Sequence, residues 1–305
     1  MVKTDFFING YFKEKNFRVY TSDLLTFANY FQTAKLHYNK YPKFKRLFSE
    51  LNIKEHKELL EYLNKLCIEK GWFLDEYSKN RQFFTYDNAC KIGAINKKIK
   101  EWHKKNYITS KENAFLVASL IDSMDKVANT AGTYYAYLKD WTTKALNVFE
   151  YKFIEPIKGK YKGYSYQVDA LKLIQKQHYD IVYLDPPYNE RSYSRYYHLP
   201  EVIARQIEPE VNGKAGIPNI ELQKSNYNNK TKALESFKQL IDSVDCKVLL
   251  FHYTDNGLIE KDDIIEIFKN YGTISEYYLD CLGYSTKQEI RKDMHHIYMV
   301  NMKNG

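Results

Sequence analysis

The 305 residues include 44% hydrophobic positions, enough for a sizeable core and too many for a disordered or fibrous chain. No apolar run approaches the roughly 18 residues of a membrane span, and the first ten residues hold no secretory apolar stretch. Four scattered cysteines (Cys67, Cys90, Cys246, Cys281) lack the spacing of a disulfide framework or zinc site, so a reduced cytoplasmic protein without a metal is expected.

The formal charge of +8 is uneven: residues 81–165 carry 15 Lys and Arg against 8 Asp and Glu, while residues 166–305 carry 17 against 20. A basic middle suits a segment that tracks phosphates, and it suits solvated lysine-rich helix faces equally well. The 29 tyrosines add stacking faces, although most tyrosines in a globular protein simply pack.

In chain order, RVYTSD (18–23) reads as a short strand. From Phe27 to about Phe149 apolar residues recur at spacings of three and four, which predicts helices. Gly71 is expected to close one of them and Asp87 to cap another. Strand-like runs then return: GYSYQVDA, YDIVYLD (179–185), CKVLLFHYT (246–254), ISEYYLD and HIYMVNM (296–302). Helical stretches such as TKALESFKQLIDSV and EKDDIIEIFKNYG lie between them. This alternation predicts an α/β fold whose parallel or mostly parallel sheet is covered on both faces, with the helical block as a smaller insertion.

YDIVYLDPPYNERSYSRYYHLPEV carries the strongest chemical signal. Ile181–Leu184 reads as buried strand, and Asp185-Pro186-Pro187-Tyr188 follows at its C-terminal end, where open α/β sheets place their ligands. Two prolines remove two donors and hold the chain extended, so a carboxylate and an aromatic ring flank one stiff loop. The plainer reading is a Pro-Pro strand terminator with an incidental aspartate.

This motif, with FFTYDNACKIGAINKKIKEW, ASLIDSMDKVANTAGTYYAYLKDW and YSRYYHLPEVIARQIEPEVNGKAG in the same order, resembles the Dam-like class of adenine-specific type II DNA methyltransferases over nearly the whole chain. The resemblance implies a Rossmann-like sheet dependent on S-adenosylmethionine (residues 1–34 and 161–305) and an inserted, mainly helical target-recognition region (35–160). The implied reaction is methyl transfer to the 6-amino group of adenine in duplex DNA. The implied setting is restriction-modification, with a companion endonuclease as partner and no membrane.

By the same resemblance, Asp185 and the Pro186 carbonyl, with Pro187 beside them, would accept the two hydrogens of the amine, and Tyr188 would stack on an extruded adenine. Asp23 would bind the cofactor's ribose hydroxyls and Asp169 would lie near its adenine end, although either could cap a helix instead. Asn129, Gly132 and Tyr134 would lie near the target pocket, with Gly132 present for backbone geometry. Arg191 and Arg195 would reach the displaced strand, unless they belong to a solvated loop. His198 reads as structural.

One family feature, a first strand ending in F-x-G-x-G, is not in the sequence, and only Gly10 stands near the place of its glycines. NGYFKEKNFRVYTSD resembles the helix after that loop and the second strand, so the first strand is expected upstream of Met1, with Val2–Phe7 as a substitute. The alternatives are a split enzyme whose first strand comes from a separate chain, and a truncated, non-catalytic DNA-binding remnant. RNA methylation is a further enzymatic alternative.

Overall fold

The computed structural model describes residues 4–221, 225–282 and 292–303. Its eight strands are β1 (Tyr20–Ser22), β2 (Tyr164–Tyr166), β3 (Tyr179–Leu184), β4 (Val211–Asn212), β5 (Ile217–Pro218), β6 (Cys246–Thr254), β7 (Gly272–Leu282) and β8 (Lys292–Met302). The chain divides into two compact units, Met1–Gln167 with Tyr193–Gln223 and Val168–Ser192 with Lys224–Gly305. No helix among the described residues is long and apolar enough to cross a membrane.

The first unit is mainly helical, as the spacing between Phe27 and Phe149 predicts. Its longest helices are Tyr86–Lys104 and Ser110–Asp125. Thr85, rather than Asp87, caps the first of these, because the hydroxyl before the helix accepts the Asn88 N–H while Asp87 sits inside the first turn. Thr109 and Glu112 form a reciprocal capping box on the second, satisfying two otherwise orphaned donors. Gly71 precedes the short Trp72–Leu74 helix at φ 153° instead of closing the helix before it. Phe44, Phe83, Phe84, Trp102 and Phe115 fill the core of this unit.

At the start of the chain Thr4–Glu14 is helical, not a substitute strand. Val2 lies outside the described residues. β1 pairs in parallel with β2, Tyr20 opposite Tyr164. β4 and β5 form a minimal antiparallel hairpin.

The second unit holds a four-stranded sheet in the order β3-β6-β8-β7. β3 and β6 are parallel, but β8 is antiparallel to both β6 and β7. The sheet is therefore mixed, not mostly parallel. Only nine residues separate β7 from β8, fewer than the dozen or so that a parallel crossover takes, and neighbouring strands so closely connected pair antiparallel. The face carrying Val182, Leu184, Leu249, Phe251, Tyr298 and Val300 is buried. Phe237 from the Ala233–Asp242 helix and Phe268 from the Lys261–Tyr271 helix meet Phe251 at 4.7 and 5.7 Å between ring centroids. The other face, with Ile181, Tyr183, Leu250, His252 and Ile297, is half-buried.

Candidate active site

The Asp185–Tyr188 loop leaves β3 just past its last registered pair with β6, Leu184 opposite Phe251. Pro186 and Pro187 cannot donate to a ladder, so the pairing stops there and their carbonyls stay oriented. The Asp185 side chain is 20% exposed, and its Oδ1 lies 3.2 Å from Nδ1 of His252. The Tyr183 hydroxyl is 3.2 Å from the same nitrogen. On the far side of that ring, His252 Nε2 lies 2.9 Å from His295 Nδ1.

The other end of the loop is held as firmly. The Tyr188 carbonyl accepts the Leu258 N–H at 3.1 Å, and the Tyr188 ring stands edge-on to His295 at 5.8 Å. Beyond it, Asn189 Oδ1 accepts the Arg191 N–H at 3.0 Å. Asn228 Nδ2 donates to the carbonyls of Asn189 and Arg191 at 2.8 and 3.0 Å. The Arg191 residue itself is exposed. Asp169, also exposed, is the N-cap of the Ala170–Ile174 helix and accepts the Leu171 N–H at 2.9 Å.

The first unit holds the remaining candidates. Asp23 follows β1, and its Oδ1 accepts the Leu25 N–H at 2.7 Å ahead of the Thr26–Gln32 helix. Burial pushes its carboxyl up to about 6; hydrogen bonds from Leu25 and Leu24 oppose the rise, and the nearby Glu201 charge adds to it. Glu201 is buried, with Oε2 accepting the Phe27 N–H at 3.0 Å. Gly10 lies inside the Thr4–Glu14 helix, where an added Cβ would come 2.8 Å from Ile157 Cδ1, so its lack of a side chain serves close packing.

Asn129 and Tyr134 are interior residues. Asn129 Nδ2 donates to the carbonyls of Gln82 (3.1 Å) and Leu138 (2.9 Å), and its Oδ1 accepts the Thr142 N–H at 3.1 Å. Tyr134 donates its hydroxyl to Asp125 Oδ1 at 3.2 Å and stacks near Phe83. These side chains hold the segment together from within. Gly132 between them adopts φ 104° with open space around it, the backbone geometry expected of it. His198 is buried, with Nε2 2.8 Å from the Tyr134 carbonyl, and burial lowers it to about 4, which keeps the imidazole neutral and structural.

Arg195 is exposed on the Tyr193–Tyr196 turn. Tyr193 (39% exposed) stands in the same turn, and the nearby Tyr135 (46% exposed) stacks on Tyr196 at 5.2 Å. Elsewhere in this unit Lys70, Lys97, Lys100 and Lys104, with Trp72 and the acidic Glu101 and Glu208, line a crevice of about 360 Å³. His252, His295 and Glu201 went unmarked in the sequence because only pairing register, or a distant helix, brings each to its partner.

Comparison with known proteins agrees with the loop. The pattern of the D12 class N6 adenine-specific DNA methyltransferases matches residues 11–267. Type II methyltransferase M.FokI of Planomicrobium okeanokoites is 33% identical over 268 residues, covering 87% of this chain and 41% of that protein. Modification methylase StsI of Streptococcus sanguinis is 31% identical over 266 residues, covering 87% and 40%. Type II methyltransferase M.NlaIII of Neisseria lactamica is 36% identical over 222 residues, covering 70% and 65%. The chain thus spans about two fifths of the length of the first two relatives. No solved structure matches. A mixed α/β chain that ends a buried strand in Asp-Pro-Pro-Tyr and matches this pattern over most of its length belongs to the D12 class N6 adenine-specific DNA methyltransferase family.

Proposed function

We propose that this chain transfers a methyl group from S-adenosylmethionine to the 6-amino group of adenine at a short site in duplex DNA, as the modification part of a restriction-modification system. The observation that carries the reading is the doubly anchored Asp185–Tyr188 loop at the C-terminal end of β3. In this reading residues 1–34 and 161–305 form a Rossmann-like catalytic domain, and 35–160 form the target-recognition region.

Adenine's 6-amino group is a poor nucleophile because its lone pair is conjugated with the ring. A carboxylate at Asp185 and the Pro186 carbonyl accept its two hydrogens, draw the lone pair out of conjugation and aim it. Pro187 keeps the two acceptors rigid. Tyr188 offers its ring to an adenine rotated out of the duplex. Bound S-adenosylmethionine supplies the methyl group on a sulfonium, a leaving group that departs as a neutral thioether. Asp23 fits that cofactor: its half-buried carboxylate, raised to about 6, gains by accepting hydroxyl donors such as those of a ribose. Asp169 is the second acidic candidate toward the cofactor.

DNA contact falls to the exposed groups. Arg191 and Arg195 suit phosphates, Tyr135 and Tyr193 suit stacking, and the lysine-lined crevice suits a backbone strand. Asn129 and Tyr134 shape the recognition segment from within.

The test is mass spectrometry for 6-methyladenine in DNA from a methylation-deficient host expressing this chain. The expected result is methylated DNA that is lost with Asp185→Ala while DNA binding persists. An active Asp185→Ala variant overturns the assignment. Unmethylated DNA with binding retained favours the non-catalytic DNA-binding reading or a split enzyme.

A further inference from the structure

β3 and β6 run parallel, and their last registered pair is Leu184 with Phe251. The next residues, Asp185 and His252, stand level at the C-terminal end of the sheet. On the other side of β6, antiparallel β8 sets Ile297 opposite His252 and His295 opposite Thr254. Residues two apart on a strand share a face, so His252 and His295 look the same way while His296 looks the other.

The result is a chain of contacts at the DPPY loop. Asp185 Oδ1 lies 3.2 Å from His252 Nδ1, His252 Nε2 lies 2.9 Å from His295 Nδ1, and the His295 ring meets Tyr188 edge-on at 5.8 Å. A carboxylate can only accept, so the 3.2 Å contact is a hydrogen bond only in the tautomer that carries Nδ1–H on His252. In that neutral ring Nε2 is the acceptor and His295 Nδ1–H the donor, the opposite tautomer reversing both roles. The Tyr183 hydroxyl, 3.2 Å from the same Nδ1, is a further polar neighbour of this ring. The His252 side chain is 12% exposed, so little water competes for these contacts.

We propose that His252 is a positioning residue for Asp185. By holding Oδ1 it fixes the carboxylate plane and leaves Oδ2 to accept the N–H of the target amine. His295 sets the tautomer of His252 and also packs against Tyr188. The hydrogen-bonding end and the stacking end of the loop therefore rest on one pair of imidazoles. The role rests on the methyltransferase reading of the loop; the contact itself does not.

Two measurements test it separately. In the full chain labelled with ¹⁵N-histidine, long-range ¹H–¹⁵N correlation reports which ring nitrogens carry protons. The expected result is a protonated Nδ1 at His252, assigned by its disappearance in His252→Asn and altered in Asp185→Ala. A His252 protonated at Nε2 alone overturns the proposal.

In kinetics, His252→Leu should lower kcat about 100-fold while KM for DNA changes by less than about threefold, the signature of misplacement and not of weakened binding. His252→Asn, whose amide can stand where Nδ1–H stood, should recover most of kcat. His252→Gln, whose amide reaches toward the Nε2 position, should recover less, so the Asn–Gln order decides the matter even where the leucine variant fails to fold. Unchanged kcat in His252→Leu overturns the proposal and leaves the methyltransferase reading standing. A wild-type chain that does not methylate overturns that reading instead, and the tautomer then decides the contact alone.

Discussion

Among the described residues Asp23 is the acid whose environment works hardest against its charge, and replacing it should stabilise the protein. Burial, with Glu201 adding repulsion, raises its carboxyl from 3.8 to about 6. A raised folded-state value means that the protonated acid is the one the fold favours. The associated stability is fully present below pH ~4 and is lost as pH rises through about 6. A shift of about 2 units corresponds to at most about 3 kcal/mol at neutral pH, and solvent reaching this half-buried side chain reduces that to about 1–2 kcal/mol. Asp23→Asn removes the charge and keeps an oxygen for the Leu25 N–H. Urea unfolding at pH 7.5 should show the variant more stable by about that amount, at unchanged m-value. At pH 4.5 the advantage should shrink to roughly half of its neutral value. A variant no more stable than wild type at pH 7.5, or an advantage equal at both pH values, would refute this account of Asp23. If Asp23 also holds the cofactor's ribose, the same substitution weakens S-adenosylmethionine binding, measurable by calorimetry. Stability would then have been given up for a binding group.

Other outcomes follow from the two cores and the exposed cations. Asn129→Ala strips partners from the Gln82 and Leu138 carbonyls and the Thr142 N–H, and should cost about 3 kcal/mol or more in thermal unfolding. Phe251→Ala opens a cavity between the sheet and its two helices and should cost about 3–5 kcal/mol in urea unfolding. DNA affinity should fall steeply with salt. Lys100→Gln with Lys104→Gln should reduce the slope of log affinity against log salt by about 1 for each phosphate that is no longer neutralised. An unchanged slope in a fluorescence-anisotropy titration would remove the lysine-lined crevice from the DNA interface.

Signals that are local in sequence were legible. The apolar strand before Asp185, the Pro-Pro stop and the helices between Phe27 and Phe149 all rest on propensity and periodicity, and the structure has them. The backbone demand at Gly132 was legible for the same reason. Non-local features were not. The antiparallel placement of β8 against both β6 and β7 is a matter of long-range pairing, which strand–helix alternation alone does not reveal. His252 becomes a partner of Asp185 only once β3 and β6 are in register. Glu201 reaches Phe27 across 174 residues of sequence, so no spacing announces it. Asn129 reads as a polar residue available to a ligand, whereas tertiary structure uses both ends of its amide internally.

The anchoring of the Asp185–Tyr188 loop bears on why so few residue types suit it. Its task under the proposed function is to present two acceptors and one ring to a weak nucleophile, and any freedom in the loop would have to be removed again in the transition state. The prolines limit the backbone from within the loop. The groups around it act from outside: Leu258 on the Tyr188 carbonyl, Asn228 on the two carbonyls that follow, and His252 on the Asp185 carboxylate. Each of these external partners comes from the C-terminal part of the second unit, 37 to 70 residues along the chain. Asp185-Pro186-Pro187-Tyr188 on its own is therefore a stiff turn with suitable acceptors. It becomes a positioned acceptor set only when β6 and the segments around it are folded against β3. Disturbing those segments should lower kcat before it affects DNA affinity.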